Sequence, residues 1–172
     1  MQFKDVPERA SLGGGFVKLG DGDSITGVFA GDPVEFVSQW DNGKSTVSWP
    51  SEGGRFNRFR INFITKDDGK LVPKIFEQGI QTYKTLGMLA RKHDLSKTTC
   101  MIIRNGTGKL TRYSVTTLPD GGLSSNAVEA LSKIELIDVK KTIDNSFKKE
   151  TPPPSNDEMP DWVKDDSVDI EF

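Results

Sequence analysis

The feature that most constrains this chain is the run RFNRFRINFIT at residues 55–65, where polar and apolar side chains alternate strictly from Arg58 to Phe63. Phe59, Ile61 and Phe63 fall on one side, and Arg58, Arg60 and Asn62 fall on the other. Successive side chains of a strand point to opposite faces, so a period of two is the mark of a strand with one buried and one solvated face. The chain must therefore build a sheet whose inner face takes phenylalanine and isoleucine. The outer face of that strand is predicted to be a basic surface.

The surrounding segments extend the sheet. FVKLGDGDSITGVFAG, from Phe16, reads as a long strand bent around Gly20–Gly22, and Gly31-Asp32-Pro33 marks a turn. VEFVSQW alternates again as a second strand, with Val34, Phe36, Ser38 and Trp40 on one face. Residues 41–54 read as a loop by composition, and RFNRFRINFIT is the third strand. LVPKIF is a shorter extended piece that Pro73 assigns to an edge or bulge. From Gln78 to about Asp94 the period becomes helical, with Ile80, Tyr83, Leu86, Gly87 and Ala90 on one stripe. Two strands then flank Asn105-Gly106-Thr107-Gly108, a hairpin signal, and SSNAVEALSKIELIDV spaces Val128, Leu131, Ile134 and Ile137 as a second helix would.

Three strands, a helix and two strands is the order of the OB-fold, the five-stranded Greek-key barrel that binds oligonucleotides and oligosaccharides. The expected fold is mainly β: a five-stranded OB-fold barrel with a helix between strands 3 and 4, a C-terminal helix and a disordered acidic tail. Four stretches follow from this: a lead-in at 1–15, the OB domain at 16–118, a helical extension at 119–150 and a tail at 151–172. The helix at 124–138 is expected to pack on the barrel or on a second subunit.

The charge is divided along the chain. Residues 151–172 hold seven acids against Lys164 alone, a net charge of −6, whereas residues 1–150 hold 22 bases against 18 acids, or +4. A basic body with an acidic end points to a nucleic-acid surface on one part and a solvated or partner-binding tail on the other. The tail follows Thr151-Pro152-Pro153-Pro154, a stiff spacer, and is too acidic to pack a core of its own. It nevertheless keeps Trp162, Val163, Val168, Ile170 and Phe172, apolar anchors of the kind that fill partner pockets while carboxylates steer the encounter.

Other classes of function find little support. No window approaches the roughly 18 apolar residues that cross a bilayer, so no membrane is expected. The N-terminus lacks the pattern of a secretory signal, and a cytoplasmic location is expected. A lone Cys100 and a lone His93 supply neither a disulfide nor a zinc site, and no cofactor or metal is expected. His93 stands near a helix C-terminus rather than beside a nucleophile. Gly106-Thr107-Gly108-Lys109 has the wrong spacing for a phosphate loop, and Leu110 follows the lysine where a hydroxyl residue is needed. The chain is not expected to be an enzyme.

Single-stranded nucleic acid is held by a positive groove along its phosphates and by aromatic platforms for its bases. Residues 55–74 interleave Arg55, Arg58, Arg60, Lys66, Lys70 and Lys74 with three phenylalanines. Arg58, Arg60 and Asn62 are expected to line the groove. Trp49, before Pro50 in the loop, either stacks on a base or folds back on the barrel. Arg104, Lys109, Arg112 and Tyr113 surround the last hairpin, one of the places where OB-folds take ligands.

The basic OB body, the proline-led linker and the terminal Asp169-Ile170-Glu171-Phe172 together resemble the single-stranded DNA-binding proteins of replication, whose bacterial members end in an acidic, Phe-terminated peptide. GDSITGVFAG, RFRINFI and KIFEQGIQTYKTL resemble the bacteriophage-encoded versions, for which the compartment is the host cytoplasm. The tail resemblance covers the last twelve residues, and the less specific body resemblance runs from Phe16 to Leu118. It implies a protein that coats single strands in replication, recombination and repair, and that recruits polymerase, helicase, primase or recombination enzymes through its tail. That role falls on Trp162, Asp165, Asp166, Asp169, Ile170, Glu171 and Phe172. Bacterial tails carry proline before the final Phe, where this chain has Glu171, which points to a dedicated phage partner. An RNA-binding OB or cold-shock-like chaperone and a non-nucleic-acid adaptor using the tail are the competing readings.

Overall fold

A computed structural model describes residues 15–147, and the expectations for the lead-in before Gly15 and for the acidic tail lie outside the described residues. Six strands and three helices run in the order β1 (Ser24–Asp41), β2 (Lys44–Ser48), β3 (Arg58–Asp67), β4 (Lys70–Gly79), α1 (Ile80–Ala90), β5 (Thr98–Asn105), β6 (Arg112–Gly122), α2 (Ser125–Ser132) and α3 (Val139–Ser146). The protein is mainly β. Its antiparallel sheet has the order β4-β3-β1-β5-β6, and β2 pairs with the far end of β1.

The two strands expected on either side of Gly31-Asp32-Pro33 are one strand, β1. Its first half pairs Gly27–Ala30 with Thr65–Asn62, its second pairs Val34–Phe36 with Arg60–Arg58, and the register shifts between them. The turn residues make a bulge because β3 continues unbroken along both halves, and Gly31 takes the left-handed φ of 69° that the bulge requires. The bend expected at Gly20–Gly22 lies before the strand, in a turn that Arg104 and Asp21 tie to the end of β5.

Two apolar clusters lie on opposite faces of the sheet. The larger, inner one contains Phe29, Phe59, Phe63, Phe76, Cys100, Ile102 and Val115, with Leu86 of α1 closing one end. Phe59 and Phe63 are fully buried and Ile61 nearly so, as the alternation predicted. The second cluster joins Phe36 and Ile75 of the outer face to Val139 and Ile143 of α3, flanked by Phe16, Val34, Val47 and Ile137. Residues 58–65 are consequently buried on both faces, which corrects the expectation of a half-solvated strand.

Hydrogen-bonded closure into a five-stranded barrel, the form expected from the sequence, is absent among the described residues: β4 and β6 remain the two ends of the sheet. The free edge of β4 is taken at Ile75, whose N–H donates to the Gly15 carbonyl and whose carbonyl accepts from Val17 N–H at 2.8 Å. Across this seam the two ends meet through side chains, Phe76 against Tyr113 at 6.4 Å between ring centroids. The single helix expected from 124 onwards is interrupted. α2 ends at Ser132, and Asp138 caps a new helix by accepting from Lys141 N–H at 3.0 Å.

Candidate nucleic-acid interface

The register sorts the expected contact residues by face. Arg58, Arg60 and Asn62 share the outer face with Phe36, Ile75 and Glu77, because residues opposite one another in an antiparallel pair project to the same side. Arg58 is buried beside Glu77, while Arg60 lies beneath α3 and Asn62 beneath the segment leading to it. Their exposures are 6%, 7% and 4%, so they do not line an open groove.

Glu77 is what makes two buried guanidiniums tolerable. Its carboxylate accepts from Arg60 Nε at 2.6 Å and from Arg58 Nη2 at 3.2 Å. Arg60 also donates to Thr142 Oγ1 at 3.2 Å and Ser146 Oγ at 3.4 Å on α3, and lies over the rings of Phe16 and Phe36. Burial pulls the pKa of Arg58 below its ordinary value, against the neighbouring Glu77, which raises it. Asn62 binds both backbone groups of Ile137: its amide donates to the carbonyl at 2.9 Å and its oxygen accepts the N–H at 3.0 Å.

Lys74 lies opposite Phe63, on the inner side, where it is buried and faces Asp67 at 3.8 Å. Arg104 and Tyr113 are paired across β5 and β6 and are half-buried. Arg104 donates to the Leu19 carbonyl at 2.5 Å, fastening the segment that precedes β1, while the Tyr113 ring packs against the inner core. These residues are part of the packing rather than of an open surface.

The exposed members are Trp49, Arg55, Lys66, Lys70, Lys109 and Arg112. They fall into two groups at opposite ends of β3. Trp49 and Arg55 occupy the connection that enters β3, whereas Lys66 and Lys70 flank the β3–β4 turn. Lys109 and Arg112 belong to the β5–β6 connection, which lies at the same end as that turn because Ser24, where β1 begins, pairs with Ile103. A 3-10 turn at Gly108–Leu110 sets this connection, and Arg112 donates to the Thr111 carbonyl at 2.8 Å.

Trp49 folds back in part and stays 36% exposed. Its indole N–H donates to Asp144 Oδ1 at 3.1 Å, Phe147 stands edge-on at 5.9 Å, and Lys140 Nζ approaches the ring at 5.9 Å. Lys140, Asp144 and Phe147 were missed by sequence reasoning, as was Glu77. The available signal was Asp138 followed by Val139 and Ile143, a cap and an i, i+4 apolar pair that opens a helix.

An open cleft of about 830 Å³ lies between α1 and the β1 bulge, lined by Tyr83, Leu86, Gly87, Arg91 and Asp32. Its Tyr83 hydroxyl donates to Glu35 Oε1 at 2.5 Å, and that bond pushes the phenol pKa up to about 12. Cys100 is buried, and desolvation pushes its thiol up to about 11, so it stays protonated at neutral pH. Among the described residues no group of three or more His, Cys, Asp or Glu side chains is placed to hold a metal ion, and no helix is long and apolar enough to cross a membrane. Comparisons with protein-family models, with curated proteins and with solved structures return no match.

Proposed function

We propose that this chain is a single-stranded DNA-binding protein built on an OB-type body, which coats single strands in replication, recombination and repair and recruits replication proteins through its acidic C-terminal segment. With β2 set aside as an arm, five strands remain. The first is central, the second and third form a meander on one side, and the fourth and fifth form a hairpin on the other. A helix joins the third to the fourth. This supports an OB barrel opened along one seam, a fold that is partly open in its ordinary form.

The observation that carries the functional reading is the position of the exposed contact residues. OB-folds hold oligonucleotides on the face of their second and third strands, framed by the connections between the first and second strands and between the fourth and fifth. Trp49 and Arg55 stand on the first of these connections, Lys109 and Arg112 on the other. Each phosphate charge neutralised on a single strand contributes about 0.7 to the slope of log K against log salt. The double variant Lys109→Ala, Arg112→Ala is expected to flatten that slope by about 1.4 and to weaken all sequences alike. An unchanged slope would remove the β5–β6 connection from the interface.

A further inference from the structure

We propose that α3 is a displaceable cover over the centre of the single-strand surface, and that a bound strand takes its place against Arg58, Arg60, Asn62 and Phe36. The inference rests on the single-strand reading above and adds to it a site that the folded chain keeps closed.

The ground for it is the chemistry beneath and beside the helix. Two guanidiniums share one carboxylate there, with Arg60 held 5.1 Å from the Phe16 ring and 5.2 Å from that of Phe36. A packed core has no need of two arginines and an asparagine on one face, and ion pairs taken out of water are costly to keep. Guanidiniums interleaved with aromatic rings are what a single strand requires. The covered patch also joins the two exposed groups, lying along β3 between Arg55, three residues before the strand, and Lys66 near its end.

The cover is built to come away. α3 has eight residues, well short of the roughly 12 to 15 at which an isolated helix becomes even marginally stable in water, so it depends on what it packs against. Only Val139 and Ile143 of α3 are buried. Beside them Ile137 flanks the same cluster and Phe147 stands against Trp49, and the hydrogen bonds run from Arg60 to Thr142 and Ser146, from Asn62 to the backbone of Ile137, and from Trp49 to Asp144. Phosphate oxygens and base edges can replace these partners one for one, whereas they cannot replace an apolar seat. Residues 148–172 continue directly from α3, so lifting the helix also moves the anchor of the acidic segment.

If the competent state has α3 lifted, the apparent dissociation constant is the intrinsic one divided by the fraction lifted, and loosening the helix tightens binding by the same factor. The test uses the full chain with an unstructured DNA 30-mer, and reads amide hydrogen exchange at residues 139–146 together with affinity. Expected is a loss of protection of tenfold or more across α3 when DNA is bound, while β3 amides stay protected. The double variant Thr142→Ala, Ser146→Ala is expected to bind about three- to tenfold more tightly than the parent. DNA bound with α3 protection unchanged overturns the displacement and leaves the single-strand reading standing. If neither the parent nor the variant binds DNA at low salt, both fail. The exchange measurement on the unaltered chain decides the matter even if the variant folds poorly.

Discussion

Arginines of the same sequence stretch take opposite roles in the folded protein, and burial is what separates them. Arg55 is exposed, whereas Arg60, five residues on, is covered by α3 and bonded to Glu77. Removing one partner of a buried pair leaves a charge without its counter-charge, so Arg60→Ala is expected to cost on the order of 3 kcal/mol in urea unfolding. Arg55→Ala is expected to change stability by less than about 0.5 kcal/mol. Equal effects of the two would contradict the burial of Arg60. The alternation placed Phe59, Ile61 and Phe63 inside correctly, because period two assigns faces from local sequence alone. It could not say what covers the other face, since Thr142 and Ser146 lie some 80 residues away and leave no mark on residues 55–65.

At the scale of elements, β1 shows how a turn signal was overruled. Gly31-Asp32-Pro33 ends a strand by local propensity, but β3 offers a continuous partner on both sides of it, and the chain bulges instead of turning. β2 was unreadable for the converse reason: LysSerThrValSer is too short and polar to announce a strand, and it exists as the return arm of the Asn42-Gly43 turn. Where β1 crosses β3, Gly27 leaves no room for a side chain. A Cβ there would meet the Phe63 ring at 2.8 Å and the carbonyl of Ile64. Gly27→Ala is therefore expected to destabilise the protein by about 1–3 kcal/mol, measured by denaturant unfolding, and a neutral result would mean that the two strands separate more easily than their pairing implies. α3 escaped detection because its cap, Asp138, and its first apolar residue, Val139, sit at the end of a longer pattern that fits one helix, which the break at Lys133–Asp138 divides.

For the whole molecule, the division of charge is the feature the sequence displayed most plainly, and it gives the acidic end a physical role in the proposed function. Under the proposed function, a segment of −6 joined to a body of +4 is expected to compete with nucleic acid for the same basic surface. Ending the chain at Thr151 is expected to tighten single-strand binding at low salt and to have little effect at high salt, where the attraction is screened. An affinity unchanged at low salt would rule out that competition. The binding of single strands itself is tested most directly by fluorescence anisotropy of a labelled DNA 30-mer, titrated with the full chain beside its RNA counterpart and its duplex. The account predicts tight binding of the single DNA strand, at least about tenfold over the duplex. No binding of any strand at low salt would contradict it, leaving the exposed cations as solvated surface and the acidic segment to a protein partner alone, while a preference for RNA would move the same surface to an RNA chaperone.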